Sequence, residues 1–371
     1  MSRRTLIIAA TLMGAGMWLG ILLYADHSRS KVPHGAHDAA QGTVENANAT
    51  LPPPPKITCG TRTTGIFYGI NGHVQQGGAY SESSFDLQLS QLRELGATIY
   101  RQDVSDAEGA RTVSELARAA QSHCIGVLAV LTPAAQSHKD EAAAYADGYS
   151  LGRTAAMILK GAVSYYQVGN ELEIDVIHAG ASGNEPADYD NTKFKKARGS
   201  LLGMIAGVKE IDPSAKIVLS ALGWIHYGFS DMLHEGSQPD GTRGHPIVNW
   251  DITAWHWYSD MGSITAAGDA RTNVLEHLRV AYGKPIWITE FGVRPDYKDG
   301  DAGSYLTGNE ALAGYVANAK TYGIQSVVLY ELYDDLRYGG DGNYGLINDD
   351  GKTRKPLFET VRNFIAKNQM P

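Results

Sequence analysis

Two short strings place carboxylates where chemistry could use them: Val168-Gly169-Asn170-Glu171 and Trp287-Ile288-Thr289-Glu290-Phe291-Gly292. Each is an apolar, β-rich run that ends in a glutamate. Two carboxylates facing one cavity suit a reaction in which one group moves a proton and the other attacks carbon, as in cleavage of a glycosidic bond. A parallel βα barrel gathers the C-terminal ends of its strands on one face and would bring such residues together.

The elements needed for that can be read along the chain. Strand-like runs fall at Ile66–Asn71, Thr98–Val104, Ile125–Leu131, Ser164–Gly169, Lys216–Ala221, Ile252–Tyr258, Pro285–Phe291 and Ser326–Glu331. Helix-like stretches separate them, for example Phe85–Leu95, Ala142–Leu159, Phe194–Ile211 and Ala311–Tyr322. In the first, Phe85, Leu89, Leu92 and Leu95 recur at helical spacing, so one face packs on a sheet. Eight βα units over residues 65–371 predict an α/β protein with a (β/α)₈ barrel. The competing doubly wound sheet lacks support: Gly69-Ile70-Asn71-Gly72 does not have the spacing of a dinucleotide-binding loop.

Reading the strand ends in order gives Asn71, Arg101 with Asp103, Thr132, Asn170 with Glu171, Trp224, His256 with Tyr258, Glu290, and Tyr330 with Glu331. This set resembles the clan A retaining glycoside hydrolases, a cellulase-like and xylosidase-like superfamily of (β/α)₈ barrels. That family has Asn-Glu at the end of strand four and Glu at the end of strand seven, matched by Asn170-Glu171 and Glu290. Arg101 matches an arginine on strand two, and His256-Trp257-Tyr258 matches a His-x-Tyr on strand six. The resemblance implies Glu171 as acid/base, with a raised pKa, and Glu290 as an ionised nucleophile supported by Arg101 and Tyr258. It implies that Asn170 binds the sugar 2-OH and that His256 contacts substrate or orients Glu171. Tyr330 stands where many relatives carry a tryptophan floor for the sugar. Tyr330 itself, Trp287 or a loop tyrosine would serve instead, and Glu331 either binds a hydroxyl or pairs with a neighbour.

Twenty tyrosines and six tryptophans suit sugar recognition, because aromatic faces match the C–H faces of pyranose rings. Trp224, Tyr227, Tyr297, Tyr333, Tyr338 and Tyr344 fall in loops expected on the active face. Glu173 and Asp175 read as solvated loop charge or sugar ligands. The twelve histidines are scattered, and Asp334-Asp335 and Asp349-Asp350 lack calcium-loop spacing. No metal or other cofactor is expected.

The amino terminus differs from the rest. Arg3 and Arg4 precede the uncharged run Thr5 to Tyr24, about the 20 residues a helix needs to span a bilayer core. Residues 1–25 therefore read as a signal anchor, or else a cleaved signal peptide. Residues 26–64 read as a linker containing Pro52-Pro53-Pro54-Pro55, a stiff polyproline stretch. The expectation is an extracytoplasmic domain tethered to the cytoplasmic membrane, or secreted after cleavage. Cys59 and Cys124 fall at the N-terminal rim of the barrel and would form a bridge or remain a free thiol and a small buried side chain.

The formal net charge of −8 and the absence of a dense basic stretch argue against nucleic acid as partner. The expected partner is a polysaccharide or oligosaccharide bound by a monomeric domain. Tethering suggests an endo-acting enzyme for an exopolysaccharide or β-glucan. A non-catalytic carbohydrate-binding barrel and a transglycosylase remain alternatives, and the residues name neither sugar nor linkage.

Overall fold

The computed structural model describes residues 51–59, 62–298 and 300–370. The expected anchor and most of the expected linker lie outside these residues. Among the described residues, no helix is long and apolar enough to cross a membrane.

The described chain opens with an antiparallel hairpin, β1 (Lys56–Cys59) and β2 (Arg62–Gly65). The last part of the stretch read as linker is thus ordered strand. Cys59 is bonded to Cys124 across a Cα–Cα distance of 5.1 Å, which ties the hairpin to the N-terminal end of the barrel.

Eight parallel strands follow: β3 (Tyr68–Asn71), β4 (Ile99–Val104), β5 (Gly126–Leu131), β6 (Tyr165–Asn170), β7 (Lys216–Gly223), β8 (Thr253–Tyr258), β9 (Ile286–Gly292) and β10 (Ile324–Leu329). They close in sequence order, with β10 pairing both β9 and β3. The helices are α1 (Ala79–Glu82), α2 (Phe85–Leu95), α3 (Ala107–Ser122), α4 (Glu141–Leu159), α5 (Asn191–Ile211), α6 (Tyr227–Glu235), α7 (Val274–Tyr282), α8 (Ala302–Thr307), α9 (Leu312–Tyr322) and α10 (Pro356–Lys367). Many begin where a side chain can satisfy a free N–H: Ser84, Asp106, Asp140, Asp190 and Asn273 each accept from the backbone three residues on.

Two apolar layers follow from strand alternation. Ile66, Ile99, Leu128, Val218, Ala254, Trp287 and Val328 fill the barrel interior. Their outward neighbours pack under the helices with Leu89, Leu92, Leu201 and Phe358. Helices α4 and α5 touch through glycines. A Cβ at Gly203 would lie 2.1 Å from the Tyr145 carbonyl, and one at Gly148 would lie 2.4 Å from that of Ser200.

Candidate active site

The site begins with an irregularity in β9. Trp255 pairs with Ile288, but the next residue, His256, pairs with Glu290. On the other side, Val327 pairs with Ile288 and Leu329 with Phe291. Strand β9 therefore carries one extra residue, Thr289, relative to both neighbours. Trp287 points into the barrel and Ile288 out to the helix layer. Strict alternation would send Glu290 outward, and the extra residue turns it inward. Bulges re-aim side chains in this way. The Thr289 carbonyl is held by Asn71 Nδ2 at 3.1 Å.

Glu290 is clamped from two sides. Arg101 Nη1 donates to Oε1 at 2.7 Å and the Tyr258 hydroxyl donates to Oε2 at 2.6 Å. Arg101 is itself buried and fixed: Nη1 reaches Asn71 Oδ1 at 2.6 Å, Nε reaches Gln167 Oε1 at 3.0 Å, and Nη2 donates to Asn170 Oδ1. Asn71 thus links the β9 bulge to the guanidinium that holds Glu290. Charge-assisted bonds of this kind favour an ionised carboxylate.

Glu171 lies at the end of β6 with a positive φ of 45°, a backbone region that non-glycine residues rarely occupy and that often marks functional sites. His256 Nδ1 is 2.9 Å from Glu171 Oε1 and 3.5 Å from Glu290 Oε2. One oxygen of each glutamate and this ring nitrogen all lie within 4.8 Å of one another. Burial pushes the Glu171 carboxyl up, but the hydrogen bond and charge of His256, then the Arg294 and Arg101 cations, outweigh it and hold the group below the usual glutamate value. This corrects the expectation of a raised pKa. Sequence position alone did not show that the cations sit on this side. The three residues could span a metal ion, but a dication there would face the Arg101 guanidinium already bound to Glu290.

A second buried cluster adjoins the first. His73 Nδ1 lies 2.6 Å from Asp103 Oδ2, and His73 Nε2 lies 3.6 Å from Glu331 Oε2. Glu331 accepts from the Tyr80 hydroxyl at 2.7 Å. Burial opposes charge on His73, but Asp103, with Glu331 and Glu290 behind it, pushes its pKa up to about 9. Burial raises Glu331 to about 7, against the pull of His73 and Tyr80. The peptide between Tyr330 and Glu331 is cis. His73 and Tyr80 were not singled out in the sequence. His73 follows β3 in its loop and Tyr80 lies in α1, and a scan a few residues beyond each strand end would have found His73.

Arg294 was missed for the same reason, two residues after β9. Its guanidinium lies 4.0 Å from the centre of the Tyr258 ring. It bonds Asp260 at 2.9 Å and the Tyr344 hydroxyl at 3.2 Å.

Most nominated residues meet here: Glu171, Glu290, Asn170, Arg101, His256 and Tyr258. Tyr330 joins them, its ring 6.2 Å from that of Tyr258, and Tyr344 packs 5.2 Å from Tyr330. Other nominations go elsewhere. Trp287 is fully buried inside the barrel against Tyr165, so it offers no face to a sugar. Trp224 stacks on Trp257, an outward-facing side chain, and belongs to the loop wall rather than the carboxylate cluster. Tyr333 is buried and bonded to Gln91, and the Tyr338 side chain lies outside the described residues. Glu173 is neither solvated nor open to a ligand: it is fully buried and holds the Gly223 N–H at 3.0 Å and His226 at 3.2 Å. Asp334 is taken by Lys355 and the Gly345 N–H.

Residues 240–319 match a family model described as the glycosyl hydrolase catalytic core. That stretch holds His256, Tyr258 and Glu290. The match spans 80 of the 371 residues and, together with the closed barrel, agrees with the resemblance read from the sequence. Solved structures share the fold. A family 39 glycoside hydrolase from Bacteroides cellulosilyticus WH2 is 15% identical, with a TM-score of 0.57 over 81% of this chain and 63% of that one. The chain thus spans less than two thirds of that protein. The Ignisphaera aggregans GH53 catalytic domain is 16% identical, with a TM-score of 0.56 over 80% and 95% of the two chains. A family 1 β-glucosidase from Thermotoga maritima is 12% identical, with a TM-score of 0.60 over 82% and 98%. No curated protein matches the chain in sequence.

Proposed function

We propose that this protein is a retaining glycoside hydrolase in which Glu290 is the nucleophile and Glu171 the acid/base. The observation that carries this reading is the asymmetry between the two carboxylates. Glu290 has both oxygens held by donors, Arg101 and Tyr258, while Glu171 has one oxygen beside the His256 ring, at 2.9 Å. Their oxygens approach within 4.8 Å. That closeness supports the retaining arrangement, with carboxyl groups about 5–5.5 Å apart, over the inverting one at about 6.5–9.5 Å.

In the first step Glu290 attacks the anomeric carbon, the glycosidic C–O bond breaks, and Glu171 delivers its proton to the departing oxygen. In the second, Glu171 takes a proton from water, the resulting hydroxide attacks the same carbon, and Glu290 leaves as carboxylate. Asn170, oriented by Arg101, is placed to bond the sugar 2-OH. Tyr330 supplies the floor in place of a larger ring.

The substrate is a polysaccharide cut internally, an exopolysaccharide or β-glucan, and the enzyme works outside the cytoplasm on an N-terminal tether. The Cys59–Cys124 bridge supports the compartment, since such bonds persist where the surroundings are oxidising. Trapping with 2-deoxy-2-fluoro glycosides of several sugars tests the chemistry. Labelling on the peptide carrying Glu290 is expected. Full activity of Glu290→Gln would remove the assignment.

A further inference from the structure

Beside the two glutamates lies a cavity of about 230 Å³ whose lining includes Arg294, Lys355, Tyr344, Tyr330 and Asn343. The lining contains two cations and no carboxylate, in a chain whose formal net charge is −8. We propose that this cavity is a subsite for a carboxylate-bearing sugar, a uronic acid residue of the glycan, with Arg294 and Lys355 as its counter-charges. The inference rests on the glycosidase reading above and names the substrate class for it.

Three observations carry it. First, the cavity adjoins the reacting centre. Tyr330 and Tyr344 line it, and both pack against Tyr258, whose hydroxyl holds Glu290. A sugar seated over the glutamates would direct a substituent or a neighbouring residue past these rings. The volume, equal to roughly eight waters, takes one such group and no longer chain.

Second, both cations keep a free donor. Arg294 uses Nε for Asp260 and Nη1 for Tyr344, and among the described contacts Nη2 donates to no protein group. Lys355 donates to Asp334 and Asn343, two of the three N–H bonds an ammonium has. Asp260, the partner of Arg294, is half exposed, so solvent weakens that pair. Asp334 is buried and does not line the cavity.

Third, apart from Tyr297 the remaining walls are apolar, Leu306, Leu329, Leu346 and Leu357 among them. A low-dielectric wall strengthens a charge pair formed against it. A neutral CH₂OH arm can accept from the same Arg294 and Lys355 donors, but it forms no charge pair with them. The cavity therefore discriminates at C6 by oxidation state.

The test uses β-1,4-linked tetraglucuronate and cellotetraose, which share ring geometry and differ in C6 oxidation. Calorimetry on Glu290→Gln measures binding without turnover. Tighter binding of the glucuronate is expected, weakening with salt. Adding Arg294→Gln should reduce that preference roughly 10- to 100-fold, while the neutral tetramer changes little. Lys355→Gln should act in the same direction, and Arg294→Lys should restore part. Equal binding of the two tetramers, binding of neither, or equal loss for both in the Arg294 variant overturns the proposal. The glycosidase reading fails separately, if wild type cleaves no glycan across a broad panel and no fluoroglycoside labels Glu290. The binding comparison is decisive for the cavity in either case.

Discussion

The Tyr258 hydroxyl lies 2.6 Å from Glu290 Oε2, and it reaches that oxygen only because β9 carries an extra residue. Without the bulge at Thr289, strand parity would turn Glu290 towards the helices and leave Tyr258 facing a backbone. The phenol therefore donates to the attacking group rather than serving as general polar lining. Tyr258→Phe removes one of two donors to Glu290 and keeps the ring under Arg294. The expected result is a fall in kcat of about 10²-fold, the lower range for loss of one preorganised donor, with KM changed far less. A KM effect as large as the kcat effect would show that the hydroxyl binds sugar instead.

The low position of Glu171 has a kinetic consequence. An acid must be protonated to serve the leaving group, so kcat/KM falls as pH rises past its pKa. Burial alone would set that limb high; His256, with Arg294 and Arg101, draws it below the ordinary glutamate value. In His256→Asn the burial contribution prevails, and the descending limb of the pH profile should move to higher pH. A profile that stays in place, or moves to lower pH, would remove His256 from control of this proton.

How far the sequence foretold this site depends on what each residue needs from its surroundings. Arg101 and His256 lie on regular strands, and period-two alternation was enough to place them; the adjacent Asn170 and Glu171 both reach the site only because the backbone leaves regular strand geometry at Gly169 (φ 90°) and Glu171 (φ 45°). Glu290 was nominated from the same kind of pattern, but its inward aim depends on a register shift that no run of residue types announces. His73, Arg294 and Tyr344 come from loops and Tyr80 from the one-turn helix α1, where no periodic pattern applies; of these only Tyr344 was nominated, and the fold brings them together. Glu173 misled for a related reason: it follows Glu171 by two residues and looks loop-borne, yet the turn buries it to hold the Gly223 backbone. Trp287 carried no sign, from its type alone, of pointing into the barrel rather than at a sugar. The barrel was legible because eight buried parallel strands write eight apolar runs. Helix α6, starting at Tyr227 without a side-chain cap, left no comparable signal.

His73 couples the site to stability. Burial disfavours its charge, yet Asp103 at 2.6 Å, with Glu331 and Glu290 beyond, lifts its pKa to about 9. A histidine whose folded pKa is raised stabilises the native state fully below its unfolded value of about 6.5, and that contribution is lost as pH rises to the folded value. Urea unfolding of wild type and His73→Asn at intervals from pH 6 to 9.5 should show the gap between them closing by on the order of 3 kcal/mol, counted once for the His73–Asp103 pair. A gap independent of pH would mean that His73 contributes packing and no charge.

The Cys59–Cys124 bond joins residues 65 apart in sequence and fastens a hairpin that pairs with no other strand among the described residues. Closing a loop of that length restricts the unfolded chain by about 4 kcal/mol on the chain-entropy account. The bond sits at the end of the barrel opposite the strand ends that carry Glu171 and Glu290. Cys124→Ser should therefore lower the unfolding free energy from urea titration by an amount of that order and leave kcat near wild type at temperatures where the variant remains folded. Equal stability with and without a reducing agent would show that the hairpin holds by packing alone. A matching loss of kcat in the folded variant would show that the hairpin sets the alignment of β3 and β4, which carry Asn71 and Arg101.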